Sequence, residues 1–277
     1  VADMDSRLNL IHAYGWEETQ LPMEWINDFN TSLQGITVMS NFVRKILIDN
    51  GVYIPISVCS LGINHIVDSF DNYQSSLDLK SFVFLHISSC FPRKGVEVLL
   101  NAYASAFNSD DDVSLVIKTF RNPHNKLDDL LVNFKKNKNY PHVVVIREEM
   151  EQSELISLYK KSDCLVAPSY GEGYGLPIAE AMKLGVPVIT TGWGGQIDFC
   201  TSNNSWLIDY SFEYAKTHFK LYYSLWAKPS LKDLIKKMRE VYTCPKDKLK
   251  SKISKAKETV DGYYTWENTV KYNKTFR

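Results

Sequence analysis

The chain has no excess of either charge: Lys plus Arg number 32 and Asp plus Glu number 32 among 277 residues. A neutral chain leaves no bulk electrostatic footprint for nucleic acid, although a local basic patch would be compatible with it. No apolar run reaches the roughly 18 residues that a membrane-spanning helix needs, and no secretory leader is read at the start. The five cysteines (Cys59, Cys90, Cys164, Cys200, Cys244) are odd in number, dispersed and without a CxxC pair. That excludes a disulfide scaffold or zinc knuckle and points to a reducing compartment. There is no GxxxxGK[ST], no HExxH, no Ser–His–Asp order, no internal repeat and no low-complexity tract. Cys164 falls inside a strand-like run and reads as core rather than nucleophile.

What is present is an ordinary globular balance, 44% hydrophobic and 23% charged residues, in a length that suits between one and two domains. The first residue is Val, as in a processed or truncated protein, and the sequons at Asn30, Asn203 and Asn273 carry little weight. From residue 81 apolar runs alternate with amphipathic ones. Strands are predicted at Ser81 to Ser89, Val113 to Thr119, His142 to Ile146, Cys164 to Pro168, Val186 to Thr190 and Ser205 to Asp209. Helices are predicted between them at 94–107, 125–134, 152–161 and 177–184, and three more after Ser230, the last over TWENTVKYNKTF. Parallel strands need crossover connections, so the pattern implies an α/β fold with a doubly wound parallel sheet. EWINDFN, ITVMS, FVRKILIDNG and ISVCSLG read as helix, strand, helix and strand, a single βαβ unit too small to fold well alone.

In such sheets ligands sit beyond the strands' carboxyl ends. PSYGEGYGLPIAEAMKLGVPVIT lies there. Gly171, Gly173 and Gly175 allow tight turning and close approach of the backbone. Pro177 suits the first turn of a helix whose N-terminal N–H groups would attract phosphate. Glu172 and Glu180 flank that turn, and a carboxylate can accept from two hydroxyls of a vicinal diol. The plain alternative is that the glycines only shape a strand-to-helix turn while both glutamates face water. The spacing departs from G-x-G-x-x-G. In FPRKG, Arg93 and Lys94 read either as plain exposed basic residues at a helix start or, because cations are unfavourable there, as partners of an anionic ligand. Asp110-Asp111-Asp112 reads as a solvated turn rather than a metal site.

Together these pieces resemble the retaining glycosyltransferases of the GT-B fold, similar to glycosyltransferase family 4. The E-x7-E element stands as Glu172-GYGLPIA-Glu180, within DCLVAPSYGEGYGLPIAEAMKLGVPVITTGWGG, and PRKG stands where that family places phosphate-binding basic residues. LPMEWINDFN through ISVCSLGIN resembles the end of the family's N-terminal domain. Ser88-Ser89 replace the family's usual Gly-Arg, and most of its N-terminal domain has no counterpart here.

The resemblance implies a remnant of an acceptor-side domain over 1–62, a donor-binding domain over 63–262 and a terminal helix over 263–277 that crosses back. It implies transfer of a hexose-type sugar from a UDP- or GDP-sugar to a glycan or lipid-linked acceptor, in surface polysaccharide synthesis, with no metal and no cofactor. Arg93, Lys94 and the N–H groups of Gly173, Tyr174, Gly175 and Leu176 would stabilise the departing diphosphate. Glu180 would hold the ribose, Glu172 the sugar hydroxyls, Ile146 and Arg147 the base, and Gly194, Gly195 and Gln196 the sugar side. A cytoplasmic enzyme is implied, with the inner face of the membrane left open, and no nucleic-acid partner. The alternatives are a non-catalytic nucleotide-sugar-binding module and, against the late position of the glycines, a Rossmann oxidoreductase.

Overall fold

A computed structural model describes residues 8–66, 77–136, 138–217 and 219–273. The largest sheet is built from β4 (Phe82–Ile87), β5 (Val113–Lys118), β6 (His142–Ile146), β7 (Cys164–Ala167), β8 (Val188–Thr191) and β9 (Trp206–Ile208). Its order is β6-β5-β4-β7-β8-β9, every neighbouring pair parallel. This is the doubly wound sheet that the alternating pattern predicts. The strands read as unbroken apolar runs because helices cover both faces. Val83, Leu85, Val116 and Leu165 face α5 (Gln152–Lys160), α6 (Leu176–Lys183) and α8 (Lys246–Tyr263). Phe84, Leu115, Ile117 and Val166 face α3 (Val96–Ala106), α4 (Leu127–Phe134) and α7 (Leu231–Tyr242). Each such side chain contributes roughly 1.5–3 kcal/mol by leaving water.

Two boundaries move for local reasons. Strand β8 begins after Pro187, which has no N–H to give the ladder and instead accepts from Leu165 N–H at 2.8 Å. Helix α4 begins at Leu127, because the Asn125 side chain accepts that residue's N–H at 3.0 Å and ends the turn.

The first sixty residues hold more than one βαβ unit. β1 (Leu10–Tyr14), α1 (Met23–Ser32), β2 (Gly35–Val38), α2 (Asn41–Asp49) and β3 (Ile56–Val58) form a three-stranded parallel sheet in the order β1-β2-β3. It has its own cluster around Phe29, Ile36, Val38, Val43 and Leu47. Strand β1 escapes prediction because it is a short, partly exposed edge strand whose sequence, LIHAY, shows no clean alternation. A hairpin of β10 (Tyr210–Tyr214) and β11 (Leu225–Pro229) is the other unpredicted element. Its first strand shows Tyr210, Phe212 and Tyr214 to solvent, so burial leaves no mark on its sequence. The terminal helix α9 (Trp266–Asn273) packs on the β3 side, Thr269 Oγ1 donating to the Ser60 carbonyl at 2.7 Å. The end of the predicted terminal helix, past Asn273, lies outside the described residues. No helix among the described residues is long and apolar enough to cross a membrane.

Candidate functional site

The chain runs from β4 outward to β6 and then returns to the other side of β4 as β7, so strand order reverses between β4 and β7. Segments leaving these two carboxyl ends line the crevice at such a reversal. From β4 comes Ser88 to Gly95, with Pro92–Lys94 as one turn of 3-10 helix; from β7 comes Pro168 to Gly175. The two basic residues and the glycine loop, 78 positions apart, are thereby brought together.

Glu172 is the centre of the meeting. The residue is 7% exposed, and its carboxylate accepts from Lys94 Nζ at 2.7 and 2.8 Å and from Ser169 Oγ at 2.7 Å. Arg93 lies 3.7 Å away. Burial alone would push the Glu172 pKa up. The Lys94 and Arg93 charges and the donated hydrogen bonds outweigh it and hold the carboxyl below its ordinary range. Arg93 also donates to the Gly171 carbonyl at 3.1 Å and pairs with Glu17 of the first lobe at 3.1 Å. Both cations are thus engaged by glutamates, one from each lobe.

The glycine loop owes its course to close backbone approaches. Gly175 has φ +92°, which an L side chain adopts only with strain, and it ends the loop at the start of α6 with Pro177 in the first turn. At Gly171 a Cβ would lie 2.1 Å from the Glu17 carbonyl oxygen, so the two lobes touch backbone to backbone. Ser40 joins them as well: it caps α2 by accepting from Val43 N–H and donates to the Gly173 carbonyl at 2.7 Å. The α6 N-terminus turns the positive end of its dipole toward the loop; Pro177 has no N–H, and the Ile178 and Ala179 N–H groups donate to the Gly175 carbonyl at 2.9 and 3.2 Å.

Glu180 sits one turn into α6, 8% exposed. Tyr159 donates to its Oε2 at 2.8 Å, and His65 Nε2 stands 3.8 Å from Oε1. Burial raises its pKa against the opposing effect of these two partners. One carboxylate oxygen therefore keeps capacity for a further donor. Gly195 N–H donates to the Glu172 carbonyl at 2.6 Å, which places the Gly194–Gln196 turn against the glycine loop.

Other predicted residues are less free than their motif suggests. Tyr174 is buried, and its hydroxyl donates to the Leu61 carbonyl at 2.7 Å; its side chain anchors the interlobe connection. The Gln196 amide nitrogen donates to the Thr191 and Trp193 carbonyls at 2.9 and 3.0 Å, while its Oε1 is buried without a partner. Ile146 and Arg147 lie at the end of the edge strand β6, two strands from β4, and Arg147 is paired with Asp128 of α4. Asp110 to Asp112 occupy a turn between α3 and β5. Among the described residues no group of three or more His, Cys, Asp or Glu is arranged to hold a metal. Sequence reasoning missed Glu17, Ser40, His65 and Tyr159, which reach the site from remote elements. Ser169 was visible in PSYGE, three residues before the glutamate it serves.

Behind the loop from β4, His86 is 1% exposed. Its Nδ1 lies 2.8 Å from the Val166 carbonyl and its Nε2 2.7 Å from Ser88 Oγ. A carbonyl only accepts, so Nδ1 carries the proton and Ser88 donates to Nε2. Ser88 Oγ in turn accepts from Cys90 N–H at 3.0 Å, and Cys90 has φ +53°.

Residues 69–259 match the family model described as glycosyl transferases group 1. A D-inositol 3-phosphate glycosyltransferase of Corynebacterium glutamicum (strain R) is 28% identical over 121 residues, 43% of this chain and 29% of that protein. The chain thus spans under a third of that curated relative. A glycosyltransferase from Rickettsia africae ESF-5 superposes with TM-score 0.73 at 19% identity, over 96% of this chain and 69% of that one. S. aureus TarM, described in complex with fondaparinux, alpha-GlcNAc-glycerol and UDP, gives TM-score 0.71 at 15% identity, over 98% and 51%. These two likenesses show the fold.

Proposed function

Because the chain belongs to the glycosyl transferases group 1, we propose that it moves a hexose-type sugar from a nucleoside diphosphate sugar to a glycan or lipid-linked acceptor. In this reading it is a GT-B enzyme of family 4 type that retains the anomeric configuration and uses no metal. The observation that carries the reading is the convergence of Lys94, Arg93 and Glu172 with the α6 N-terminus at the strand-order reversal. A diphosphate there would draw Lys94 and Arg93 off their glutamates and onto phosphate oxygens, with the N–H groups of Gly173, Tyr174, Gly175 and Leu176 as further donors. Donors already aimed at developing negative charge stabilise a departing diphosphate strongly and need no protein nucleophile. Glu172, released from Lys94, would accept sugar hydroxyls beside Gly194, Gly195 and Gln196. The open oxygen of Glu180 would accept from the ribose, and Ile146 and Arg147 would flank the base. TarM, of similar fold, is described with UDP bound, which favours a nucleoside diphosphate sugar over a dinucleotide. The domain roles follow: residues 1–62 on the acceptor side, 63–262 holding the donor, and 263–277 returning to the first lobe.

UDP or GDP at a hundredfold excess over its dissociation constant should stabilise the chain by about 2.7 kcal/mol, with chelator present. Thermal denaturation with each nucleotide reads this directly. Stabilisation that requires Mg²⁺ or Mn²⁺, or that NAD(P) alone provides, would overturn the reading. Donor binding without turnover on any acceptor would leave a non-catalytic binder instead.

The two glutamates separate by calorimetry. Glu180→Gln should weaken bare diphosphate and nucleotide sugar alike by about 1.5–3 kcal/mol, the range for a hydrogen bond to a charged group. Glu172→Gln should weaken only the nucleotide sugar, since it frees Lys94 for phosphate. If the Glu172 variant loses the bare diphosphate first, the roles are reversed.

A further inference from the structure

A pocket of about 250 Å³ opens beside the strand-order crevice, where the first lobe, the Phe91 to Arg93 segment and Lys216, Thr217 and Phe219, between β10 and β11, meet. Phe91, Phe219 and Trp226 give it aromatic walls, and Glu17, Glu18, Arg93 and Lys216 bring charge to its rim and floor. A second chamber of about 220 Å³ shares Pro92, His124, Lys216 and Trp226 with it and continues toward Tyr170. Glu18 is the unusual member. It is 4% exposed; Thr217 Oγ1 donates to its Oε1 at 2.7 Å, and its Oε2 is buried with no hydrogen-bond partner. Leaving a buried acceptor unpaired is costly and calls for a donor.

We propose that this pocket binds a neutral pyranose, as the subsite for the terminal sugar of the acceptor. The charge balance selects the class. Glu17 and Glu18 repel a phosphate or carboxylate, while Arg93 and Lys216 repel an amine. A neutral polyol meets neither penalty. A pyranose offers an apolar C–H face to the aromatic walls and a hydroxyl edge that can donate to the unpartnered Glu18 Oε2. Arg93 stands in both places: it lines the pocket, pairs with Glu17 and donates to the Gly171 carbonyl of the glycine loop. The sugar would therefore lie next to the donor crevice without occupying it. The shared chamber leaves room for a second sugar unit behind the first. The carbohydrate chemistry rests on the pocket; the word acceptor rests on the transfer reading above.

The test is titration of the 277-residue chain with methyl pyranosides of glucose, galactose, mannose and N-acetylglucosamine, followed by saturation-transfer NMR and tryptophan emission. At least one should bind with no nucleotide present and should not be displaced by UDP or GDP. Phe91→Ala and Glu18→Gln should each weaken it about tenfold or more, the loss of one contact to a charged or aromatic group. Phe91→Ala should leave UDP and GDP affinity unchanged. It alone carries the test if Glu18→Gln unfolds the chain. Failure of all four pyranosides to bind, displacement by UDP or GDP, or unaltered affinity in Phe91→Ala would overturn the pocket. Pyranoside binding by a chain that takes neither UDP nor GDP would uphold the pocket and overturn the donor reading instead.

Discussion

Replacing Lys94 with methionine is expected to cost about 3–5 kcal/mol of folding stability, the range for removing one partner of a buried ion pair. Methionine keeps much of the apolar stem and removes the ammonium. The Lys94 side chain is 17% exposed and that of Glu172 9%, so little water screens the pair. Its loss leaves the carboxylate with Ser169 and with Arg93 at 3.7 Å, and Arg93 is already shared with Glu17 and the Gly171 carbonyl. The penalty belongs to the stranded charge, so a neutral partner should relieve it. Lys94→Met with Glu172→Gln should recover most of the loss, a coupling that a double-mutant cycle in urea measures. A single-variant cost under about 1 kcal/mol would show that Arg93 alone suffices for Glu172. In the transferase reading the same variant should also lower turnover about 10²–10³-fold, as removal of one preorganised donor does.

The paired cations give the crevice a particular logic. Lys94 is held by a glutamate of its own lobe, Arg93 by one from the other lobe. In the transferase reading a diphosphate would compete with both glutamates at once, so its arrival would change charge pairing within the donor lobe and across the lobe contact together. The backbone approach of Gly171 to Glu17 and the Ser40 bond to Gly173 remain to hold the lobes in register while the ion pairs exchange.

The parts of the fold that were legible are those whose burial is written locally. Strands β4 to β9 are short apolar runs closed by turn residues, because both faces of their sheet are covered. The helices between them carry one apolar stripe each. Strands β1 and β10 were illegible for the converse reason: an edge strand and a hairpin strand showing its aromatic side chains to water need no apolar alternation. At the site, the glycines and Pro177 signal a helix-start loop from spacing alone, and FPRKG draws notice by placing two cations at an unfavourable helix start. What spacing cannot convey is occupancy. Nothing in PSYGEGYG says that Lys94 will hold Glu172, that Tyr174 will turn inward to Leu61, or that Gln196 will spend its amide nitrogen on its own loop. Glu17 and His65 are invisible for a simpler reason, since each reaches the site from a segment with no motif of its own.

Acid should destabilise the chain through His86 by about 3 kcal/mol between pH ~6.5 and ~4. Burial drives the pKa of this imidazole down to about 4, Val166 opposing and Lys94 assisting. In the unfolded chain it returns to the ordinary value near 6.5. As pH falls below that value the unfolded chain takes up the proton first, and the folded chain resists until about 4. Stability present above the unfolded pKa is therefore lost progressively across this window. Glu172 acts in the same sense, because its folded pKa is depressed; Glu180 acts oppositely, because its own is raised. A difference between wild type and His86→Gln cancels both, since the glutamates are common to the two chains. The glutamine amide can still donate to the Val166 carbonyl or accept from Ser88, and it cannot titrate. Urea unfolding at pH values across the window should show the wild type losing about 3 kcal/mol more than the variant, whatever their stabilities at neutral pH. Equal losses in the two chains would mean that His86 is protonated in the folded state well above pH 4. Ser88 would then face a donor at Nε2 instead of an acceptor, and the bond that fixes the turn ahead of Arg93 and Lys94 would have to be reassigned.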